Sequence, residues 1–234
     1  MSKNLQVELK NIFLKLEGNE IFKNFSLRFS SKGISIILGP NGSGKTILTK
    51  IMKGIVNIDK GKVLIKKKND IGYAPQQVVF LRRNVFDNIA FPLRVKGKRE
   101  SYIKQRVNYL LTEFNILDKK SFSARSLSAG NAQFISFVRS IVDDPNILIL
   151  DEPCSNLDEI HRKKVELYLK RNKKKKKIIM ITHDFLQAKR LADEIILIEK
   201  GKFLAKFNKQ KFLKNEKNVI KDFFSWKFFL NNDI

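Results

Sequence analysis

An apolar run that breaks into a glycine-rich turn constrains the fold of this chain more than any other stretch. Residues 34–38 are apolar apart from Ser35, and their isoleucines are typical of a strand buried on both faces. Residues 39–46 follow as Gly-Pro-Asn-Gly-Ser-Gly-Lys-Thr and satisfy the Walker A spacing in full. After Thr46, apolar residues recur at helical spacing as far as Gly54, a residue type favoured at helix C-termini. The stretch therefore predicts a strand, a phosphate-binding loop and a helix in succession.

This spacing has a physical reason. Glycines allow backbone conformations that turn successive N–H groups inward, and the N-terminus of the helix adds partial positive charge. Triphosphate oxygens fit such a nest, with Lys45 at the β- and γ-phosphates and the Thr46 hydroxyl on a Mg²⁺ ion. The alternative is a structural turn with an incidental lysine, which the flanking strand and helix disfavour. We expect ATP or GTP to be bound by Gly39, Pro40, Asn41, Gly42, Ser43, Gly44, Lys45 and Thr46.

Two carboxylates at the end of a second apolar run form the next chemical group. Residues 147–150 are all apolar, and Asp151 and Glu152 follow directly. Carboxylates at the end of a strand buried on both faces are costly unless they are used. Asp151 fits a residue that holds Mg²⁺, and Glu152 fits a base that polarises the water attacking the γ-phosphate. Two solvated acids at an ordinary strand end are the alternative.

One of the two histidines also lies at a predicted strand end. The strand at residues 178–182 leads to His183, at the edge where ligands lie in open α/β sheets. There the imidazole would contact the γ-phosphate and help to hold the attacking water. A polar residue without a special role is the common alternative for a lone histidine. His161 lies in a predicted helix among charged residues, and we expect it to face solvent.

Length and composition suit one large domain or a core with a smaller subdomain. The chain has 234 residues, of which 43% are hydrophobic, enough for a substantial interior. No stretch approaches the roughly 20 apolar residues of a membrane span, and the start lacks the apolar segment of a signal peptide. We therefore expect a cytosolic location. The single cysteine, Cys154, excludes an internal disulfide and agrees with a reducing compartment.

The net charge of +24 indicates either a polyanionic partner or a lysine-biased composition. Lysines are spread along the whole chain, which favours composition, and we do not expect nucleic acid as a partner. The run of lysines at 173–177 is interpreted as a solvated loop before the next strand.

The apolar periodicity changes twice along the chain. Residues 7–29 alternate apolar and polar side chains, as half-buried antiparallel strands do. Helical periodicity dominates from 84 to 142, and strands and helices alternate again afterwards. We predict an α/β fold in which a P-loop NTPase core of the RecA-like type carries an antiparallel β front section and a helical subdomain. The predicted boundaries are 1–83 with 143–207 for the core, 84–142 for the helical subdomain and 208–234 for a C-terminal tail, whose residues 223–229 would pack on the core or a partner.

Further motifs, taken with Walker A, give the chain a family resemblance. In chain order they are residues 71–76 ending in Gln76, residues 127–131 (Leu-Ser-Ala-Gly-Asn), the Asp151-Glu152 pair, residues 155–158 ending in Asp158, and His183. In this order they resemble the Q-loop, signature motif, Walker B motif, D-loop and switch histidine of the ATP-binding cassette (ABC) ATPases. The resemblance covers residues 5 to about 205.

The resemblance implies a sandwich dimer that binds ATP with Mg²⁺. In such a dimer, Ser128 and Gly130 of one subunit close over the ATP held by the Walker A loop of the other. These two residues and the N-terminus of the following helix would form a second anion nest. The resemblance also places Asp158 at the nucleotide site. It implies Glu152, His183 and Gln76 as catalytic residues, and Thr46, Gln76 and Asp151 as Mg²⁺ ligands.

Three positions depart from the family pattern. Ala129 and Asn131 stand where the family usually has Gly and Gln, which leaves the serine and the second glycine of the motif in place. The aromatic residue that stacks on adenine in the family falls near Leu16, where no Tyr is present. Stacking is therefore either lost or supplied by Phe13.

The resemblance favours the motor subunit of a membrane transporter, held at the cytoplasmic face of the membrane by a separate permease. A second ATP-binding subunit, expected to be identical, and a solute-binding protein are the other partners implied. A non-transport cassette that acts on nucleic acid is disfavoured, because neither heptads nor a second Walker A motif is present. A small-molecule P-loop kinase is disfavoured by the signature motif.

The segment 78–93 bears on the direction of transport. It lies where family members receive a short helix from the permease, and it contains Arg82 and Arg83 among apolar residues. A docking groove and a plain helix start with exposed arginines are both open interpretations. The segment resembles that of importers of the tungstate and related oxyanion type. We predict import of a small solute, with an oxyanion first, and with amino acids, or export of a lipid or lipoprotein, as alternatives.

Overall fold

The alternating pattern near the start of the chain forms an antiparallel sheet, as predicted. The computed structural model describes residues 7–65 and 70–214. Within these ranges, β1 (Val7–Leu16) pairs antiparallel with both β2 (Asn19–Arg28) and β4 (Lys60–Ile65). The resulting order is β2-β1-β4. The antiparallel front section is therefore confirmed.

A six-stranded sheet holds part of the predicted site at one edge. Its strands are β3 (Gly33–Leu38), β5 (Ile71–Ala74), β6 (Ile147–Asp151), β7 (Lys177–Ile181), β8 (Glu194–Glu199) and β9 (Lys202–Asn208). They lie in the order β5-β6-β7-β3-β8-β9, and neighbours are parallel except β8 with β9. Because parallel strands end at the same edge, the residues that follow β3, β6 and β7 come together there.

The local sequence explains where several helices begin and end. The described ranges contain α1 (Lys45–Lys53), α2 (Val85–Val95), α3 (Glu100–Glu113), α4 (Ala129–Ile141), α5 (Glu159–Asn172), α6 (Phe185–Leu191) and α7 (Lys209–Lys214). Gly54 ends α1 in the left-handed conformation. Asn84, Asp158 and Asp184 cap α2, α5 and α6, because each side-chain oxygen accepts a backbone N–H at 2.7 to 2.8 Å. The predicted packing of residues 223–229 lies outside the described residues.

Three α-helices, α2 to α4, and two short 3-10 helices (Leu117–Lys119 and Ala124–Ser126) lie between β5 and β6, in the region predicted as a helical subdomain. Both faces of the six-stranded sheet are covered, since alternate residues of one strand reach different apolar clusters. Ile34 and Ile36 of β3 pack with residues of α2 to α6, whereas Ile37 packs with α1 and the antiparallel sheet. Burial of each such side chain stabilises the fold by roughly 1.5–3 kcal/mol. The strand before the loop is therefore firmly anchored on both sides.

The lysine run at 173–177 is only partly a solvated loop: Lys174 and Lys175 are exposed in a turn before β7, but the prediction was wrong for Lys176 and Lys177. Lys177 is the first residue of β7 and its side chain is fully buried, while the Lys176 side chain is 7% exposed. Nζ of Lys176 donates to Asp144 Oδ1 and to Pro145 O, each at 2.7 Å. The acceptors come from a distant part of the chain, so a run of lysines read in isolation does not reveal them.

Candidate nucleotide-binding site

A cavity of about 440 Å³ lies at the carboxyl edge of the parallel strands. It brings together the phosphate-binding loop, the two carboxylates at the end of β6 and Gln76. The residues that line it are Ile21, Asn41, Gly42, Ser43, Gly44, Lys45, Thr46, Ile47, Gln76, Asp151, Glu152 and Ile181. Residues that are far apart in sequence therefore line the same cavity, as the order of the motifs along the chain predicts.

The loop turns sharply into α1, and no side chain of the described residues caps that helix. Gly42 and Gly44 have φ of 74° and 96°, in a region that side chains with a Cβ rarely adopt. The first N–H groups of α1 have no partner within the helix, and the helix dipole adds positive charge there. The loop and helix start thus form a site for an anion, which fits nucleotide phosphates.

The ammonium of Lys45 lies within the loop. Nζ donates to the carbonyl oxygens of Gly39 and Pro40 at 2.8 and 2.7 Å, and Ser43 Oγ lies 3.4 Å away. Burial lowers the pKa of Lys45, and the two carboxylates at the end of β6 oppose that shift. The carboxylates therefore help to keep the lysine charged beside the loop.

Asp151 is 1% exposed at the end of β6, close to hydroxyl groups of α1. The hydroxyls of Thr46 and Thr49 hydrogen-bond to its carboxylate, with Thr49 Oγ1 3.5 Å from Oδ2. Burial raises the pKa of Asp151, although these hydrogen bonds and Lys45 oppose the rise. Among the described residues, its buried Oδ1 has no hydrogen-bond partner. A buried carboxylate oxygen in this situation fits a cation ligand.

These oxygen donors suit Mg²⁺, which binds proteins through one or two carboxylates together with phosphate oxygens and water. Over 7–65 and 70–214, no group of three or more His, Cys, Asp or Glu could hold a metal ion by itself. A site made of one carboxylate, a threonine hydroxyl and nucleotide phosphates agrees with that finding.

Glu152 has an unusual backbone conformation and a histidine partner. Its φ is 50°, and its N–H donates to Ile181 O at 3.1 Å. The carboxylate Oε2 lies 2.9 Å from His183 Nδ1. Glu152 is buried, whereas the His183 side chain is 59% exposed. Burial raises the pKa of Glu152, and the contact with His183 opposes that rise. A carboxylate in this position suits proton transfer from a water molecule.

The predicted site residues divide into two groups within one chain. Gln76 lines the cavity, whereas Ser128, Gly130 and Asp158 are not among its lining residues. Ser128 is exposed at the start of α4, where its Oγ accepts the Asn131 N–H at 3.4 Å and the Asn131 Nδ2–H at 3.0 Å. A single chain therefore brings together only part of the predicted site.

Neither residue considered for adenine stacking lines the cavity. Leu16 packs in the apolar cluster beside the antiparallel sheet, and Phe13 lies opposite Lys60 of β4. Ile21 lines the cavity instead, and no aromatic side chain of the described residues does so. The pairing of β1 with β2 contains register shifts, which the alternation of residues along the sequence does not reveal.

The prediction that His161 faces solvent was wrong. Its side chain is 17% exposed, and its ring lies on Phe134 of α4 with the ring centroids 4.2 Å apart. Nδ1 lies 2.7 Å from Asp158 Oδ2. The charged neighbours in sequence indicated solvent, but the partner that buries the ring comes from another helix.

Sequence reasoning also missed Gln133, which is 3% exposed in α4. Its side chain hydrogen-bonds to the backbone of Glu152 and of Asn156. A long polar side chain among the apolar residues of a helix is a signal that could have found it, since buried polar groups have hydrogen-bond partners in native structures.

Comparison with known proteins assigns the family. A family model described as ABC transporter matches residues 22–155, which is more than half of the chain. The chain belongs to the ABC transporter family. The predicted resemblance to the ABC ATPases is therefore confirmed, and with it ATP as the nucleotide of the family.

Two relatives in the ABC family carry names of uptake systems. TupC, a tungstate uptake system ATP-binding protein of Peptoclostridium acidaminophilum, is 34% identical over 206 residues, covering 85% of this chain and 96% of that protein. PotA, a spermidine/putrescine import ATP-binding protein of Clostridium novyi, is 33% identical over 213 residues, covering 86% of this chain. This chain spans 61% of the length of that PotA.

A solved structure confirms the fold class. It is a dimeric ATP-binding cassette in a post-hydrolysis state, bound to ADP and Pi, with a TM-score of 0.79 and 23% identity. The similarity covers 87% of this chain and 98% of that chain. At this identity the likeness shows the ABC cassette fold and not the roles of individual residues.

Proposed function

We propose that this chain is the ATP-hydrolysing subunit of an ABC importer. One observation carries the proposal: the phosphate-binding loop, Asp151 and Glu152 line one cavity, with His183 in contact with Glu152. Phosphate binding, metal coordination and water activation each need one of these groups. A module that only binds nucleotide has no need of a buried carboxylate held by a histidine.

Nucleotide binding is assigned to the loop and α1. The β- and γ-phosphates would lie against the N-terminus of α1, with Lys45 balancing their charge. Asp151, Thr46 and Gln76 would hold Mg²⁺, which when bound supplies positive charge to the triphosphate. The unpartnered oxygen of Asp151 and its contact with Thr46 support this choice of ligands.

Hydrolysis is assigned to Glu152 and His183. Glu152 accepts a proton from the water that attacks the γ-phosphate, and ADP and phosphate are the products. The 2.9 Å contact with His183 fixes the orientation of the carboxylate. The exposed imidazole of His183 is then free to contact the γ-phosphate on its outer side.

A second copy of the chain completes the site in this proposal. Ser128, Gly130 and Asp158 lie outside the cavity of their own chain, which supports a role toward the nucleotide of a partner. Ser128 is exposed at the N-terminus of α4, where a helix dipole favours an anion. ATP bound between two copies would hold the dimer closed, and hydrolysis would release it.

The permease contact is assigned to a second cavity, of about 320 Å³, beside α2. Phe91 and Val95 of α2 lie in its wall and are 41% and 70% exposed. Exposed apolar side chains in a groove fit the apolar face of a short helix. Tyr73 of β5, three residues before Gln76, lines the same groove. A helix bound there would therefore also contact the segment that leads to the nucleotide site.

Import of a small solute, with a tungstate-like oxyanion first, is the direction and cargo we propose. The match to TupC covers 96% of that protein, so it supports a comparison of whole subunits. PotA, named for polyamine import, is almost equally similar, so polyamines are the second candidate. A solute-binding protein is proposed as the further partner of the importer.

No helix in the described part of the chain combines the length and apolarity needed to cross a membrane. We propose that contact with the permease holds the chain at the cytoplasmic face.

The proposal is tested by deleting the gene and measuring cellular uptake of tungstate, molybdate, spermidine and amino acids. We expect loss of tungstate uptake, restored by the wild-type gene and not by Glu152→Gln. As a docking control, Val95→Asp should abolish uptake while leaving ATP binding by the purified subunit unchanged. Unchanged uptake of all four solutes, with defective export of an envelope component, would overturn the importer assignment.

A further inference from the structure

The buried side-chain amide of Gln133 connects helix α4, which begins in the signature motif, to the segment that carries Glu152. Nε2 donates to the carbonyl oxygen of Glu152 at 2.6 Å and to Ser155 Oγ at 2.9 Å. Oε1 accepts the backbone N–H of Asn156 at 2.8 Å. A single side chain from α4 therefore satisfies three groups of the turn that follows β6, both donor hydrogens and the acceptor being used.

The backbone held in this way is strained. Glu152 has φ of 50°, a left-handed conformation that residues with a Cβ adopt only when surrounding contacts impose it. On its N-terminal side the Glu152 N–H is fixed by Ile181 O. On its C-terminal side the carbonyl is held by Gln133 and, at longer range, by Ser155, whose Oγ lies 3.3 Å away. Gln133 thus makes the shortest of the hydrogen bonds to the Glu152 carbonyl oxygen.

A close backbone approach strengthens the same connection. A Cβ placed on Gly130 would come within 2.7 Å of Asn156 O, so the first turn of α4 lies directly against the D-loop segment. The tilted ring contact of His161 with Phe134 adds a third contact, between α4 and the start of α5. Signature motif, D-loop and Glu152 are consequently packed as one unit within a chain.

We propose that Gln133 is a positioning residue for ATP hydrolysis, because it holds the Glu152 backbone so that the carboxylate faces the nucleotide. Gln133 also links the position of Glu152 to the signature motif at the start of α4, which contains Ser128. The inference rests on the proposed role of Glu152. When Ser128 moves onto the nucleotide of a partner subunit, Gln133 would transmit that movement to Glu152, the catalytic base of its own chain. Gln133 itself does not touch the reacting atoms.

Gln133→Met tests the proposal, because methionine keeps the length of the side chain and removes the amide. We expect kcat for ATP to fall about 100-fold while ATP affinity stays unchanged, since small misplacement of a reacting group has effects of that order. Gln133→Asn, a smaller perturbation whose shorter amide cannot reach both backbone groups, should give an intermediate kcat. Ser140→Ala is the matched control: this serine is also buried in α4, but its hydroxyl donates to Phe137 O of the same helix at 2.6 Å, and its kcat should stay close to wild type.

A double variant separates positioning from general structural damage. If Gln133 acts through Glu152, then adding Gln133→Met to Glu152→Gln should leave the residual single-turnover rate unchanged. A further fall in that rate, or a kcat for Gln133→Met within about threefold of wild type, would overturn the inference. Failure of the proposed function looks different, because in that case wild type hydrolyses no ATP or Glu152→Gln hydrolyses it normally.

Discussion

The buried pair of Lys177 and Glu194 gives a stability prediction that follows from the structure alone. Lys177 Nζ lies 3.2 Å from Glu194 Oε1, 2.9 Å from Ser30 Oγ and against the Ser35 hydroxyl. Glu194 also contacts Lys206 Nζ at 2.9 Å. The pair joins the starts of β7 and β8 across β3, so it fixes the central strands of the sheet.

The loss in the free energy of unfolding depends on which charged group each substitution leaves without its partner. Lys177→Met leaves a buried carboxylate with the partly exposed Lys206 as its remaining cation. Breaking a buried pair in this way typically costs 3–5 kcal/mol, and with Lys206 still present we expect about 3 kcal/mol. Glu194→Gln should cost less, because burial lowers the pKa of Lys177 to about 8 and the lysine can lose its proton near neutral pH.

Urea unfolding at pH 7 measures both effects. At about 2–4 °C per kcal/mol for a chain of this size, Lys177→Met should also lower Tm by about 6–12 °C.

The pH dependence follows from the pKa of Glu194. Burial alone would raise that pKa, but the charge of Lys177 and the hydrogen bonds that Glu194 accepts outweigh burial and hold the pKa at about 2, below the ordinary 4.5. The stabilisation from the Glu194 charge is therefore complete above pH 4.5 and is lost as the pH falls towards 2. The difference between wild type and Lys177→Met should narrow in that window. A difference below about 0.5 kcal/mol at pH 7, or equal losses for the two variants, would refute this reasoning.

Three further predictions concern the nucleotide site. Lys45→Ala should lose ATP binding itself, because it removes the charge against the phosphates, and isothermal titration calorimetry of the monomer measures this; binding within about threefold of wild type would contradict it. Ser128→Ala should lower hydrolysis without weakening ATP binding to the monomer, and equal binding defects in Ser128→Ala and Lys45→Ala would argue against a two-subunit site. Asp151→Asn should retain binding of metal-free ATP but lose the gain in affinity that Mg²⁺ gives, and an unchanged Mg²⁺ dependence would remove Asp151 from the ligands.

The parts of the fold that the sequence predicts are those specified by neighbouring residues. The loop at 39–46 is encoded by its own glycines and by the strand and helix beside it, and it folds as predicted. Functional roles for Asp151 and Glu152 could be predicted because two acidic residues end an apolar strand, where unused carboxylates would be costly. Their meeting with the loop followed from the rule that parallel strands end at one edge.

The parts that could not be predicted depend on partners far away in the chain. Lys177 is buried because Glu194 and two serines satisfy it, and nothing in the lysine run indicates those partners. His161 is half-buried against Phe134 of a different helix. Ile21, rather than an aromatic residue, lines the cavity, and it belongs to a strand pair whose register shifts are not visible in the sequence. The docking role of segment 78–93 and the domain boundaries stay predictions.

Steady-state ATP hydrolysis by Glu152→Gln tests the central claim most directly. The substitution removes the carboxylate that would accept the proton of water and keeps Asp151 and Thr46 in place. We expect the rate to fall by about 10²- to 10⁴-fold while ATP affinity is retained, with the variant eluting as an ATP-bound dimer in size exclusion. Hydrolysis within about threefold of wild type would contradict the account, because the base would then lie elsewhere.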